Sequence, residues 1–170
     1  MSTVLYLFSI FLFARVVSLF ISILNERRIK KLGAKQYGKF NSFLLSLCHT
    51  AFYLSCFYEA YTSQAQFDRN SQIGLGLLLF SYLILFYIIY ELRAVWTVKI
   101  YILPNHKMVR SFLFRTVRHP NYFLNIIPEL IGAVLLCSAW NTMKYVLPVY
   151  LTILFIRITQ EEKAMKTIVL

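Results

Sequence analysis

Acidic residues are scarce in this chain of 170 residues, which has 7 aspartates and glutamates against 18 lysines and arginines. Glycine is also sparse, and no glycine-rich turn stands between a strand pattern and a helix pattern, which excludes a Rossmann-type cofactor domain. Only three cysteines occur, and none is at metal-ligand spacing: Cys48, Cys56 and Cys137. We therefore expect neither a disulfide framework nor a bound metal.

Long apolar stretches dominate what remains, and 59% of the residues are hydrophobic. Four of these stretches approach or exceed the roughly 20 residues that a membrane-spanning helix needs. A fifth is shorter, and Lys144 and Arg157 at its ends would extend outwards to complete it. The sequence predicts an all-α, polytopic integral membrane protein, with residues 1–170 in a single membrane-embedded domain and five spans near 2–24, 42–63, 71–90, 120–140 and 145–158.

The positive charges concentrate in two connections, residues 25–41 and 91–118. The positive-inside rule places both on the cytoplasmic side, with the N-terminus outside and the C-terminus in the cytoplasm. This topology, together with attraction to anionic lipid, explains the basic loops better than nucleic-acid binding does. We therefore expect a membrane and no nucleic acid as partner.

Local signals predict where several helices begin and end. Ser71 would cap the third span, and that helix would run on past Glu91, because no helix-breaking residue occurs before Pro104. Pro120 would stand in the first turn of the fourth span, where proline is best tolerated, with His119 beside the N-cap position.

Three polar residues of the fourth span, Asn121, Asn125 and Glu129, are spaced i, i+4, i+8 and form one stripe along the helix. A polar stripe at membrane depth must face protein or a cavity. Two interpretations stay open. The stripe either makes hydrogen bonds between helices or forms the wall of a ligand cavity.

Arg15 is the second charge expected deep in the membrane. It lies ten residues from Asn25, the inner end of the first span, and Glu129 lies ten residues from His119, the inner end of the fourth. At 1.5 Å per residue both charges are about 15 Å deep. Because either charge alone would be costly there, the sequence predicts an Arg15–Glu129 ion pair.

His49 lies on a mildly polar face of the second span, with Ser46 and Tyr53. Such a histidine makes an interhelical hydrogen bond more often than it binds a ligand. We therefore favour the structural interpretation for this face.

Charged residues also gather where the last span ends. Arg157 and Glu161 are spaced i, i+4, and Glu162 is adjacent. Alone, Arg157 and Glu161 would be an ordinary surface pair. His119, however, is expected at the same depth on the same side, so these groups would converge at one membrane edge. There they would hold a polar, zwitterionic cofactor next to a lipid-filled cavity.

These motifs resemble the isoprenylcysteine carboxyl methyltransferase family, in which an H-x-L-V segment precedes R-H-P-x-Y and the final membrane helix ends in an arginine and paired glutamates. The matching residues here are His106-Lys107-Met108-Val109, Arg118-His119-Pro120-Asn121-Tyr122, Arg157 and Glu161-Glu162. The stretch 121–130 is similar to a small bacterial branch, some members of which O-methylate long-chain alkylpyrones or alkylresorcinols.

The resemblance implies S-adenosylmethionine bound by the C-terminal half from the cytosol, and a lipidic methyl acceptor that enters from the bilayer. It assigns the cofactor pocket to His106, Val109, His119, Pro120, Tyr122, Glu161 and Glu162. The candidate catalytic residues are Glu129, Asn125 and Arg157. A carboxylate acceptor would need no base, whereas for a phenol or enol acceptor Glu129 or His106 is the candidate base.

We therefore expect an S-adenosylmethionine-dependent O-methyltransferase acting on a lipophilic small molecule, in a bacterial inner membrane. One alternative is carboxyl methylation of prenylated C-terminal cysteines. Another is a non-catalytic membrane adaptor or small transporter, although the inverted repeats typical of transporters are not visible.

Overall fold

The described part of the chain folds mainly into helices. In this computed structural model, the backbone is described for residues 2–102, 113 and 116–169, and the side chains up to residue 164. The helices in the described ranges are α1 (Thr3–Lys31), α2 (Lys39–Thr62), α3 (Arg69–Leu92), α4 (Ile127–Cys137) and α5 (Leu147–Val169). Two π-helical segments, Asn121–Ile126 and Thr142–Val146, lead directly into α4 and α5.

The helices have the length and composition of a polytopic membrane protein, as the sequence predicts. Within the described residues, four are long and apolar enough to cross a bilayer: Thr3–Lys31, Lys39–Thr62, Arg69–Val95 and Thr142–Ala164. Only 22–33% of the residues in their most apolar windows are buried, so most of their apolar surface faces outward, as it would towards lipid. The remaining apolar helix, Asn121–Cys137, is shorter, so the short element is the fourth and not, as predicted, the fifth.

Helix α4 packs closely against α3 through two glycines. A Cβ atom on Gly74 would lie 2.4 Å from the backbone nitrogen of Leu136 and 2.7 Å from the carbonyl oxygen of Gly132. The hydroxyl of Ser71 also donates to the carbonyl of Leu136, at 3.2 Å. The short fourth helix is therefore fixed along most of its length to a helix long enough to span the membrane.

A two-stranded sheet connects the two basic loops, and nothing in the sequence predicts it. Strand β1 (Lys35–Tyr37) pairs antiparallel with β2 (Ile100–Ile102). The prediction that the third helix continues towards Pro104 is wrong, because α3 ends at Leu92 and Arg93 has a positive φ of 46°. The side chain of Asn25 donates to the carbonyls of Arg93 and Trp96, both at 2.9 Å, and turns the chain back towards α1.

Helix α3 begins earlier than predicted. Asp68, not Ser71, is its N-cap, and the Asp68 carboxylate accepts the backbone N–H of Ser71 at 2.8 Å. This hydrogen bond holds the pKa of Asp68 below its ordinary value. The carboxylate satisfies a first-turn N–H that has no partner within the helix, so the helix extends to include Arg69.

Candidate active site

The segment leading into α4 has an unusual backbone at the R-H-P-x-Y motif. His119 has a positive φ of 54°, which is uncommon for a residue other than glycine. Its carbonyl accepts the N–H groups of Tyr122 at 3.0 Å and Phe123 at 3.3 Å. Pro120 is buried directly after it, and the π-helical segment Asn121–Ile126 begins at the next residue. π-helical turns and strained backbone are both frequent at functional sites.

This backbone brings His119 and Tyr122 against the end of α5. His119 Nδ1 lies 3.4 Å from a carboxylate oxygen of Glu161, and His119 Nε2 lies 3.4 Å from Glu162. The hydroxyl of Tyr122 donates to Glu161. The structure therefore brings together four of the predicted cofactor residues: His119, Tyr122, Glu161 and Glu162.

The electrostatics of this cluster favour a charged histidine. The His119 side chain is only 6% exposed and lies between two carboxylates. Its hydrogen bond with Glu161 is the main cause that raises the pKa of His119 above the ordinary value of 6.5, and burial opposes the shift. The cluster therefore places a buried histidine with a raised pKa between two carboxylates at the edge of a membrane-spanning helix.

Arg157 is buried beside this cluster, and it is not the surface partner of Glu161 that the spacing suggested. Its Nη1 donates to the hydroxyl of Ser42 at 2.6 Å, and its Nη2 donates to the carbonyl of Val98 at 2.8 Å. Its Nε has no hydrogen-bond partner among the described residues. Within the described residues no carboxylate lies at ion-pair distance from the guanidinium. Arg157 is thus a buried cation with unused N–H donors, and the carboxylate of Glu161 is bonded to Tyr122 and His119 instead.

Asn125 provides a second unsatisfied polar atom. Its side chain is fully buried, and its Nδ2 donates to Asn121 Oδ1 at 3.0 Å within the same helix. Its Oδ1 accepts no hydrogen bond from any residue that the structure describes. Buried polar atoms are nearly always bonded, so such an atom calls for an explanation, and an absent ligand is one.

Glu129 belongs to a different cluster, deeper along the same helix. Its carboxylate is fully buried and accepts hydrogen bonds from Arg15 on α1 and Tyr53 on α2. The predicted Arg15–Glu129 pair is confirmed. Seven residues separate Glu129 from Tyr122, which corresponds to about 10 Å along a helix. The polar stripe is therefore divided. Asn121 and Asn125 lie towards the His119 cluster, whereas Glu129 makes hydrogen bonds between helices.

The other predicted site residues are placed as follows. His106 and Val109 lie outside the described residues. Sequence reasoning missed Ser42 and Val98 as the partners of Arg157. No spacing could have revealed them, because they come from two other parts of the chain. No group of three or more potential metal ligands occurs among the described residues.

The sequence matches the isoprenylcysteine carboxyl methyltransferase family model over residues 74–167, from α3 to near the end of α5. The chain belongs to this family. Membership supports a membrane-embedded methyltransferase, and it covers the part of the chain that holds the His119 cluster. The resemblance inferred from the motifs is confirmed.

Two bacterial relatives align with almost the whole chain. An uncharacterised protein of Haemophilus influenzae is 56% identical over 93% of this chain and 92% of its own length. The uncharacterised protein YpbQ of Bacillus subtilis is 27% identical over 94% of this chain and 95% of its own length. Neither name states an activity or a substrate. No solved structure matches the chain.

Proposed function

We propose that this protein is an S-adenosylmethionine-dependent O-methyltransferase that acts on a lipophilic small molecule, such as an alkylpyrone or alkylresorcinol. The observation that carries the proposal is the convergence of His119, Tyr122, Glu161 and Glu162 beside the buried Arg157. This cluster lies at the edge of a membrane-spanning helix, in a chain that belongs to a methyltransferase family.

The residues present fit the proposed cofactor. S-adenosylmethionine carries a sulfonium, an ammonium and a carboxylate, and it would supply an activated methyl group. Glu161 and Glu162 would face its positive groups. Pro120 and Tyr122 would line the pocket, and His106 and Val109 would close it from the loop.

The chemistry suits a site with little water. Methyl transfer from a sulfonium to an oxygen anion removes two charges, so the site need not stabilise a new one. It needs mainly to align the donor and the acceptor at reacting distance. Arg157 and Asn125 are the candidates to orient the acceptor, because each holds an unpartnered polar atom inside the protein.

Glu129 has a different role in this proposal. Both of its carboxylate oxygens accept hydrogen bonds, from Arg15 and Tyr53, so it is not free to accept a proton from a substrate. We assign it to positioning α4 against α1 and α2. A carboxylate acceptor would need no base, and for a phenol His106 remains the candidate.

We also propose a bacterial inner-membrane location, with the N-terminus outside and the C-terminus in the cytoplasm. The pairing of β1 with β2 supports this orientation, because it holds the two basic loops together on one side. A single cysteine introduced at Lys35 should then react with a membrane-impermeant reagent only from the cytoplasmic side. Reaction only from the outside would reject the orientation.

The methylation itself can be tested with purified protein and isotopically labelled S-adenosylmethionine. Alkylpyrone, alkylresorcinol and prenylcysteine acceptors would be compared, with product detection by mass spectrometry. Lipid extracts from cells with and without the protein extend the search to acceptors of unknown identity. Label incorporated into an alkylpyrone or alkylresorcinol would support the proposal. Label incorporated only into prenylcysteine would favour the alternative acceptor.

A further inference from the structure

Arg15 lies on the face of α1 that packs inside the protein, with Phe11 and Ser18 buried one turn before and after it, yet its side chain is not fully enclosed. Its neighbours Phe13 and Val16 are 71% and 62% exposed, as expected for residues in contact with hydrocarbon. The Arg15 side chain is 17% exposed, whereas the side chain of its partner Glu129 is 0% exposed. A partly accessible guanidinium at this depth is costly unless it faces a polar group.

The exposed part of Arg15 carries unused hydrogen-bond donors. Its Nε donates to His49 Nε2 at 3.1 Å, and its Nη2 donates to Glu129. Its Nη1 donates to none of the described residues. A guanidinium has five N–H groups, two of them on Nη1, and an unmet donor in an apolar medium costs free energy. The arrangement therefore leaves a donor available to a ligand.

The charges around Arg15 are already balanced. Because Arg15 Nε can only donate, His49 Nε2 must accept, so the ring proton sits on Nδ1 and points to the hydroxyl of Tyr150 at 2.8 Å. His49 is thus neutral, and Glu129 already compensates the charge of Arg15. An anionic ligand would add an unbalanced charge in a medium of low dielectric constant, whereas a neutral oxygen would not.

The side of α2 that carries His49 is exposed one turn away from it. Ser46, three residues before His49 and so on the same side of the helix, is exposed. Its hydroxyl donates to the carbonyl of Ser42 at 2.9 Å. The side of α2 that contacts Arg15 through His49 is therefore exposed at Ser46, from which a ligand could approach.

We propose that Arg15 Nη1, approached past Ser46, binds the neutral carbonyl oxygen of a lipophilic ligand that enters from the bilayer. The site lies about 10 Å deeper along α4 than Tyr122, so it is separate from the cofactor cluster. That the ligand is the methyl acceptor rests on the proposed function, but the binding of a carbonyl lipid does not. The acceptor class would then be a lipid with a ketone, ester or lactone carbonyl.

The test uses the purified full chain in detergent and a long-chain methyl ketone labelled with ¹³C at the carbonyl. A hydrogen bond from Arg15 should move the carbonyl stretching band to lower frequency, and the ketone should raise the thermal midpoint. An alkane of equal length, which has no carbonyl, should leave the thermal midpoint unchanged. A carboxylate of equal length should bind more weakly than the ketone. An unshifted ketone band in the wild-type protein, or carboxylate binding as tight as ketone binding, would overturn the proposal.

Three variants locate the site. Arg15→Lys keeps a cation beside Glu129 but lacks Nη1, so ketone affinity should fall about tenfold or more and the band shift should disappear. Ser46→Leu should block the approach. Thr152→Leu is the matched control, since Thr152 is also exposed and donates to a carbonyl one turn earlier, at 2.9 Å. Wild-type ketone binding in Ser46→Leu would reject the site even if the Arg15 variant failed to fold.

Binding of the ketone and binding of S-adenosylmethionine can be tested separately. Ser46→Leu should bind S-adenosylmethionine as the wild-type protein does, because Ser46 lies outside the cofactor cluster. If the wild-type protein binds the ketone but not S-adenosylmethionine, the carbonyl site stands and the proposed function fails. If it binds the cofactor but not the ketone, the proposed function stands and the carbonyl site fails.

Discussion

The carboxylate of Glu129 on α4 is bound by the guanidinium of Arg15 on α1, although 114 residues separate them along the chain. Removing either charge alone strands its partner in a site of low dielectric constant, at a cost of about 3–5 kcal/mol. Replacing both with apolar residues of similar size, Arg15→Met with Glu129→Leu, should cost much less than the sum. A double-mutant cycle of unfolding in detergent measures this coupling. Additive effects would mean that the charges do not interact.

The hydroxyl of Ser42 should matter for stability because it is a hydrogen-bond acceptor for the buried Arg157. Ser42→Ala removes a hydrogen bond to a charged group, and the free energy of unfolding should fall by about 1.5–3 kcal/mol. Ser46→Ala, one turn further along α2, removes an exposed hydroxyl and should change stability by less than about 0.5 kcal/mol. Equal effects of the two substitutions in chemical denaturation would argue against the Arg157 contact.

The cluster around His119 should make stability depend on pH. The pKa of His119 is raised above its ordinary value of 6.5 by Glu161, so the protonated histidine stabilises the folded state. That contribution is complete below the ordinary value and is lost as pH rises through the raised value. The thermal midpoint should therefore fall across this range, and His119→Gln should flatten the dependence. An unchanged slope in that variant would show that other groups cause it.

The close approach of α3 and α4 predicts opposite effects at two nearby glycines. Gly74→Ala places a Cβ atom 2.4 Å from the Leu136 backbone, so it should destabilise the protein by about 1–3 kcal/mol. Gly76 has nothing within 4 Å of the corresponding position, so Gly76→Ala should stabilise the helix by up to about 1 kcal/mol. Thermal unfolding of both variants checks the prediction, and a neutral Gly74→Ala would contradict the packing.

Much of this structure follows from simple rules applied to the sequence. The lengths of the apolar stretches give the helices, because a bilayer sets the number of residues needed to cross it. Arg15 and Glu129 could be paired because both are predicted at the same depth below the cytoplasmic surface, and depth in the membrane can be compared between helices that are distant in sequence. The approach of His119 to Glu161 and Glu162 follows from the same reasoning.

Other features depend on contacts that no local pattern encodes. The sheet has only two strands of three residues, too short to produce a period, and its strands come from distant loops. The end of α3 is set by Arg93 and by hydrogen bonds from Asn25, not by a helix-breaking residue. The Ser42 and Val98 contacts that hold Arg157 likewise depend on how three separate segments pack.

Binding of S-adenosylmethionine to the purified protein, measured by calorimetry, tests the central claim most directly. The wild-type protein should bind the cofactor, and His119→Ala and Glu162→Ala should each weaken binding by more than the few tenths of a kcal/mol expected for an exposed pair. Glu91→Ala, at the end of α3, is the control and should bind as the wild-type protein does. Wild-type affinity in both cluster variants, on folded protein, would contradict the assignment of this cluster as the cofactor site.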